Sequence, residues 1–166
     1  MRSRLLFSTI LSVALAGCMA TTEITTEPVD VKMTRAKGAQ VQRTEVVPAR
    51  AFLYDAKGKR KEVSGVPCTV KNERFTASYS TPANVRIPVF GAQSSPLSAV
   101  CSYQGQRIAA VIGVRNITHE NMINGGAVAG GLLGVVIASG MAKNRGNRAD
   151  DQYGYYPLTV ELNKKQ

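Results

Sequence analysis

A single histidine, three cysteines and eleven carboxylates in 166 residues leave this chain short of the groups most enzymes use. His119 has no second histidine to join it, so His-Glu-x-x-His and Cys2His2 zinc sites are excluded, and no Cys-x-x-Cys spacing supplies a thiolate pair. No Gly-x-Ser-x-Gly elbow carries a nucleophile, and neither Gly-x-Gly-x-x-Gly nor Gly-x4-Gly-Lys-Ser/Thr offers a phosphate cradle. The carboxylates are scattered. Asp150-Asp151 is their only adjacent pair, and it reads as a solvated loop tip; His119 reads as a solvated loop histidine. Tyr153, Tyr155 and Tyr156 read as half-buried packing of a terminal strand rather than a stacking surface. The expectation is a protein without catalytic residues, metal site or cofactor.

Negative charge is scarce too. The 21 Lys and Arg outnumber the acids and give a net charge of +10. Most of the excess lies between Lys32 and Arg74, where eleven cations face only Glu45, Asp55, Glu62 and Glu73. Such a field either keeps a surface solvated or draws anionic polymers and lipid headgroups toward it.

The N-terminus divides as an export signal does: a basic start at Arg2 and Arg4, an apolar run from Leu5 to Ala16, then small residues at a cut site. That run is too short to span a bilayer as a helix, which needs about 20 residues. Leu15-Ala16-Gly17-Cys18 resembles the lipobox of bacterial lipoproteins. The resemblance implies cleavage between Gly17 and Cys18 and acylation of Cys18, with two or more chains making the anchor stable. Met19, where an Asp would favour inner-membrane retention, implies the outer membrane, with the folded part on its periplasmic face. Nucleic acid is then not an expected partner. Removal of residues 1–17 leaves 149 residues and a charge of +8, enough for one domain and a tether. With Cys18 taken by lipid, Cys68 and Cys101 form an even pair in an oxidising compartment and are expected to make a disulfide.

From Cys18 to Val47 the sequence is rich in Thr, Glu, Lys and Gln without hydrophobic period and reads as a tether, with an edge strand near Gln40 to Val47 as an option. Ala51 to Tyr54 reads as a short strand. Further strands are expected at Pro67 to Lys71, Phe75 to Tyr79, Asn84 to Phe90, Leu97 to Tyr103 and Arg107 to Val114. Val85, Ile87 and Val89 alternate with Arg86 and Pro88, and Pro88 places that strand at an edge or bulge. Tyr103-Gln104-Gly105-Gln106 suits a hairpin turn. The pattern predicts a mainly β fold: a small antiparallel sandwich over residues 48–118. Gly65-Val66-Pro67-Cys68-Thr69-Val70, Thr81-Pro82-Ala83-Asn84-Val85 and Leu97-Ser98-Ala99-Val100-Cys101 resemble a group of small Gram-negative lipoproteins with PEGA-like β-sandwich cores. Tyr153-Gly154-Tyr155-Tyr156-Pro157 is similar to the final strand of that group, which carries no established activity. Residues 153–166 are the expected last strand and tail.

Between Asn121 and Ala142 there is no charge at all, and Gly126, Gly130 and Gly134 recur every fourth residue, continued by Ala138 and Ala142. On a helix these form one flat stripe that another helix can approach closely. Residues 119–152 are therefore expected to hold a glycine-zipper helix, about 30 Å long over its apolar part, a hydrophobic hairpin packed on the sandwich and broken at Gly125-Gly126 or Gly130-Gly131, or a flexible apolar loop, followed by a polar loop from Asn144 to Gln152. Lys143, Arg145 and Arg148 follow directly and would stop at a headgroup surface. The expected function is structural or adaptor-like, as a lipoprotein held to the membrane through Cys18. The alternatives are a binding module for an anionic envelope polymer, peptidoglycan or lipopolysaccharide, and a membrane oligomer or envelope-protein contact formed through residues 122–142.

Overall fold

The computed structural model describes residues 21–34 and 40–163; the segment read above as an export signal, with Gly17 and Cys18, lies outside the described residues. Two five-stranded sheets make a mainly β structure. The first contains β1 (Val29–Asp30), β3 (Arg43–Tyr54), β4 (Arg60–Val63), β7 (Ala83–Val89) and β12 (Leu158–Glu161). Its order is β1-β7-β3-β12, with β4 also paired to β3. The second contains β2 (Lys32–Met33), β5 (Pro67–Lys71), β6 (Phe75–Ser80), β8 (Leu97–Tyr103) and β9 (Gln106–Ile112), in the order β2-β6-β5-β8-β9. A separate ribbon pairs β10 (Val114–Asn116) with β11 (Tyr153–Tyr155), and helix α1 (Ile117–Arg145) runs between its strands.

Alternation builds the core. Residues two apart on a strand share a face, and Val85, Ile87 and Val89 of β7, Phe75, Ala77 and Tyr79 of β6, and Leu97, Ala99 and Cys101 of β8 are all buried. Burial pushes the Tyr79 hydroxyl up to about 12. Cys68 and Cys101 form the disulfide; they face each other in the register of β5 and β8, with Cα atoms 4.0 Å apart. It staples adjacent strands of one sheet. The β8–β9 turn has positive φ at both Gln104 (50°) and Gly105 (77°), the requirement of a two-residue hairpin whose twist matches its strands.

Three features depart from the sequence reading. Residues 43–47, at the end of the expected tether, take up the edge-strand option given for Gln40 to Val47, but the strand does not stop there: it runs on through Pro48 as the twelve-residue β3. Proline has no N–H for a ladder, but β12 covers the opposite edge only from Ala49 onward, so β3 is open on that side at Pro48. Earlier in the expected tether, β1 pairs with the first sheet and β2, one residue later, with the second. These strands are two residues long, too short to show a period, yet Val29 and Val31 pack on the core. Thr22 is also tied down: its N–H donates to Glu62 Oε2 at 2.6 Å and its carbonyl accepts from Arg50 Nη1 at 2.8 Å. Finally, the sheets are not wholly antiparallel, because β1–β7 and β3–β12 run parallel.

Candidate functional site: an apolar hairpin and its clasp

A straight helix of 29 residues would be about 43 Å long, yet the two ends of α1 meet. His119 Nε2, in its first turn, lies 2.9 Å from the carbonyl of Gly146, just past its last. The helix folds back at Gly131, whose φ of 56° and ψ of −140° break the helical path in a conformation that side chains with a Cβ avoid. The result is a helical hairpin of two arms, followed by two strands rather than one.

The fold-back divides the expected stripe. Gly126 and Gly130 precede the break, and Gly134, Ala138 and Ala142 follow it, so the fourfold spacing does not form one continuous face. Small residues instead allow the arms to approach each other. Met122, Ile123 and Gly126 are half-buried on the first arm; Ala138 and Ala142 are buried on the second, with Val135 and Ser139 half-buried beside them. The second set follows the i, i+3, i+4, i+7 spacing of one helical face, and the first does so when counted from half-buried His119. The strands in contact with α1 include β10 and β11, which flank it in the chain, and Ala138 and Ala142 are buried outside the hydrophobic core cluster of the sandwich.

The outer side is the reverse of a core. Val128 is 91% exposed, Leu132 87% and Leu133 77%, and Val136, Ile137 and Met141 are exposed as well. Monomeric surfaces scatter single apolar residues, whereas grouped ones mark contact sites.

At the foot a buried carboxylate gathers both ends of the hairpin. Asp151 is fully buried at its side chain. It accepts from Asn116 Nδ2 at 2.8 Å, from the Arg148 N–H at 3.0 Å and from Arg145 Nη1, and His119 Nε2 stands 3.6 Å away. Burial alone would raise the Asp151 carboxyl, but these hydrogen bonds and the Arg145 charge outweigh it and hold the group at about 2. Asn116 also caps the helix, its Oδ1 accepting from the His119 N–H at 3.0 Å. Asp151 and His119 are thus parts of a clasp, correcting their reading as solvated loop residues. Asn116 and Arg145 complete it: Arg145, expected at a headgroup surface, is instead paired with Asp151, and Asn116 has no signal in the sequence beyond a capping residue type before the apolar run.

The clasp is fastened to the sandwich through β11. Glu45 Oε1 of β3 accepts from the Tyr155 N–H at 2.7 Å, and Arg43 both pairs with Glu45 at 2.8 Å and donates to the Tyr153 carbonyl. Between them lies Gly154: a Cβ there would stand 2.8 Å from Glu45 Oε2 and 3.1 Å from Ile117 Cδ1. Tyr153 and Tyr155 are buried, while Tyr156 is half exposed and donates to Glu120 Oε1 at 3.0 Å.

No family model, curated protein or solved structure matches the chain.

The basic residues between Lys32 and Arg74 do not act as one patch among the described residues. Arg43, Arg50 and Arg74 pair with Glu45, Glu62 and Glu73, and Arg60 lies over the Phe52 ring at 3.5 Å. A shallow depression of about 650 Å³ on the outer face of the second sheet carries the hydroxyls of Thr69, Ser78, Ser80 and Ser102 beside Arg107. Among the described residues no helix is long and apolar enough to cross a membrane. The span of about 30 Å expected for residues 122–142 is halved by the fold-back.

Proposed function

We propose that this protein is a non-enzymatic lipoprotein of the outer membrane, anchored through Cys18, whose sandwich is a scaffold that holds the apolar hairpin out for contact. The observation that carries this reading is the pairing of a locked foot with an exposed apolar tip. A buried carboxylate with several partners fixes the base of the hairpin, whereas Leu132 and Leu133 at the turn are left uncovered. The lipobox-like Leu15-Ala16-Gly17-Cys18 supplies the anchor. Thr22, four residues on, is bound to Arg50 and Glu62, which shortens the expected tether to a few residues and keeps the sandwich close to an acylated Cys18. Membrane fractionation of wild type and Cys18→Ala, each with a carbonate wash, tests this. Wild type should pellet and resist the wash; a wild-type chain found in the soluble fraction would remove the lipid anchor.

A second reading is favoured by the depression around Arg107. Four hydroxyls and a guanidinium suit a hydroxylated anionic polymer, so peptidoglycan or lipopolysaccharide is the matching ligand class. Retention on sacculi that disappears in high salt and with Arg107→Ala would support it, and no retention at low salt would end it.

A further inference from the structure

We infer that the hairpin inserts its tip into one leaflet of a phospholipid bilayer with anionic headgroups, an inference that rests on the membrane location proposed above. The dimensions carry it furthest. The charge-free segment, Asn121 to Ala142, is folded in two at Gly131, so each arm reaches about 15 Å from turn to first charge at 1.5 Å per residue. The hydrocarbon core of a bilayer is about 30 Å thick, and half of it is one leaflet. A folded hairpin of this length fits a leaflet and cannot cross both.

The distribution of side chains agrees with that depth. Leu132 and Leu133 follow the turn and Val128 precedes it, so the tip is the most apolar exposed part of the hairpin, while Val136, Ile137 and Met141 continue down the second arm. Along each arm the helical backbone satisfies its own N–H and C=O groups, as a segment in hydrocarbon requires, and the groups without a helical partner are those next to the break at Gly131. Charge begins at the foot: Lys143 and Arg148 are exposed there, and neither side chain has an ion pair among the described residues. Of the acids at the foot, Glu120 and Asp151 are paired with Arg115 and Arg145, and Asp150, which is exposed, lies 3.7 Å from the same Arg145. Cations available at the level where the apolar arms end would meet anionic headgroups. A second copy of the chain fits less well, because the small residues that would let another helix approach, Gly126, Ala138 and Ala142, already lie on the face between the arms.

The test uses the acylated full chain in vesicles of phosphatidylethanolamine and phosphatidylglycerol. Leu133→Cys, Lys143→Cys and Thr69→Cys each carry an environment-sensitive fluorophore; the native disulfide and the lipid occupy the other cysteines. Leu133 and Lys143 are exposed and Thr69 is half-buried on the outer sheet face, and a urea midpoint near wild type checks that each labelled chain is folded. Nitroxide at mid-chain should quench the Leu133 probe several-fold more than nitroxide at the headgroup, the Lys143 probe should show the opposite order, and the Thr69 probe should be quenched by neither. A Leu133 probe in water, or one shielded from water yet unquenched by any lipid because protein covers it, overturns the inference. Failure of the anchor is separate: if wild type is not membrane-bound in cells, the labelled chains are added to preformed vesicles and the same quenching order decides insertion. In the Cys18→Ala chain, Leu132→Asp with Leu133→Asp should lower vesicle binding roughly tenfold or more. Unchanged binding would equally sink the inference.

Discussion

The sandwich and the hairpin use apolar residues in opposite ways. In the sandwich Phe75, Ile87, Leu97 and Leu158 are fully buried and every strand is held by neighbours in a sheet. In the hairpin Val128, Leu132, Leu133, Val136, Ile137 and Met141 face outward, and the small residues Ala138 and Ala142 are buried. The sandwich would lose its core if its strands parted. The hairpin has almost no core to lose, so its geometry depends on a polar clasp around Asp151 and on one glycine at the turn. The lesson is that a stable domain can present an apolar surface when the polar interactions that fix it lie at the far end from the contact.

That contrast can be broken most strongly from the sandwich side. Phe75→Ala removes a fully buried ring next to β2 and should cost about 3–5 kcal/mol, read as a lower urea midpoint for the whole domain. An unchanged midpoint would mean that the sheets do not share one core. Replacing Cys68 and Cys101 together by Ala opens a link across 33 positions of sequence and should cost about 3–4 kcal/mol by the same measurement.

Smaller changes should separate the two regions. Gly154→Val forces a side chain against Glu45 and Ile117 and should cost about 1–3 kcal/mol, with the amide protection of α1 falling more than that of β5 and β8. Asp151→Asn weakens the clasp and should raise hydrogen exchange in α1 while leaving the sandwich midpoint near wild type. Acid should do the same reversibly. The folded state holds Asp151 at about 2, below its ordinary 3.8, so its contribution is complete above about pH 4 and is lost as pH falls toward 2. Exchange in α1 should rise in that window before the sheet amides respond; sheet amides that open first would contradict the division.

The sandwich was largely legible from sequence because its rules are local. Val85, Ile87 and Val89 show the period of two, Gln104-Gly105 marks a tight turn, and an even cysteine pair implies a bridge. Pro48 misled, since a proline that reads as a boundary is tolerated where one strand edge is open. The strands around Val29 and Lys32 were hidden because two residues carry no period. The clasp was hidden for another reason: Asn116 and Asp151 are 35 positions apart, and each looks like an ordinary loop residue until the helix folds back. Glycine spacing permitted a break at either glycine pair, and only the backbone of Gly131 decides between them.

The fold-back is the central claim, and one distance tests it directly. Spin labels at Asn121→Cys and Asn144→Cys, both exposed, sit on opposite arms near the foot. Packed helices lie about 8–10 Å apart, so with the labels' own length a distance of about 20 Å or less is expected by pulsed electron resonance. A continuous helix would hold the same positions about 35 Å apart, and that value would contradict the account.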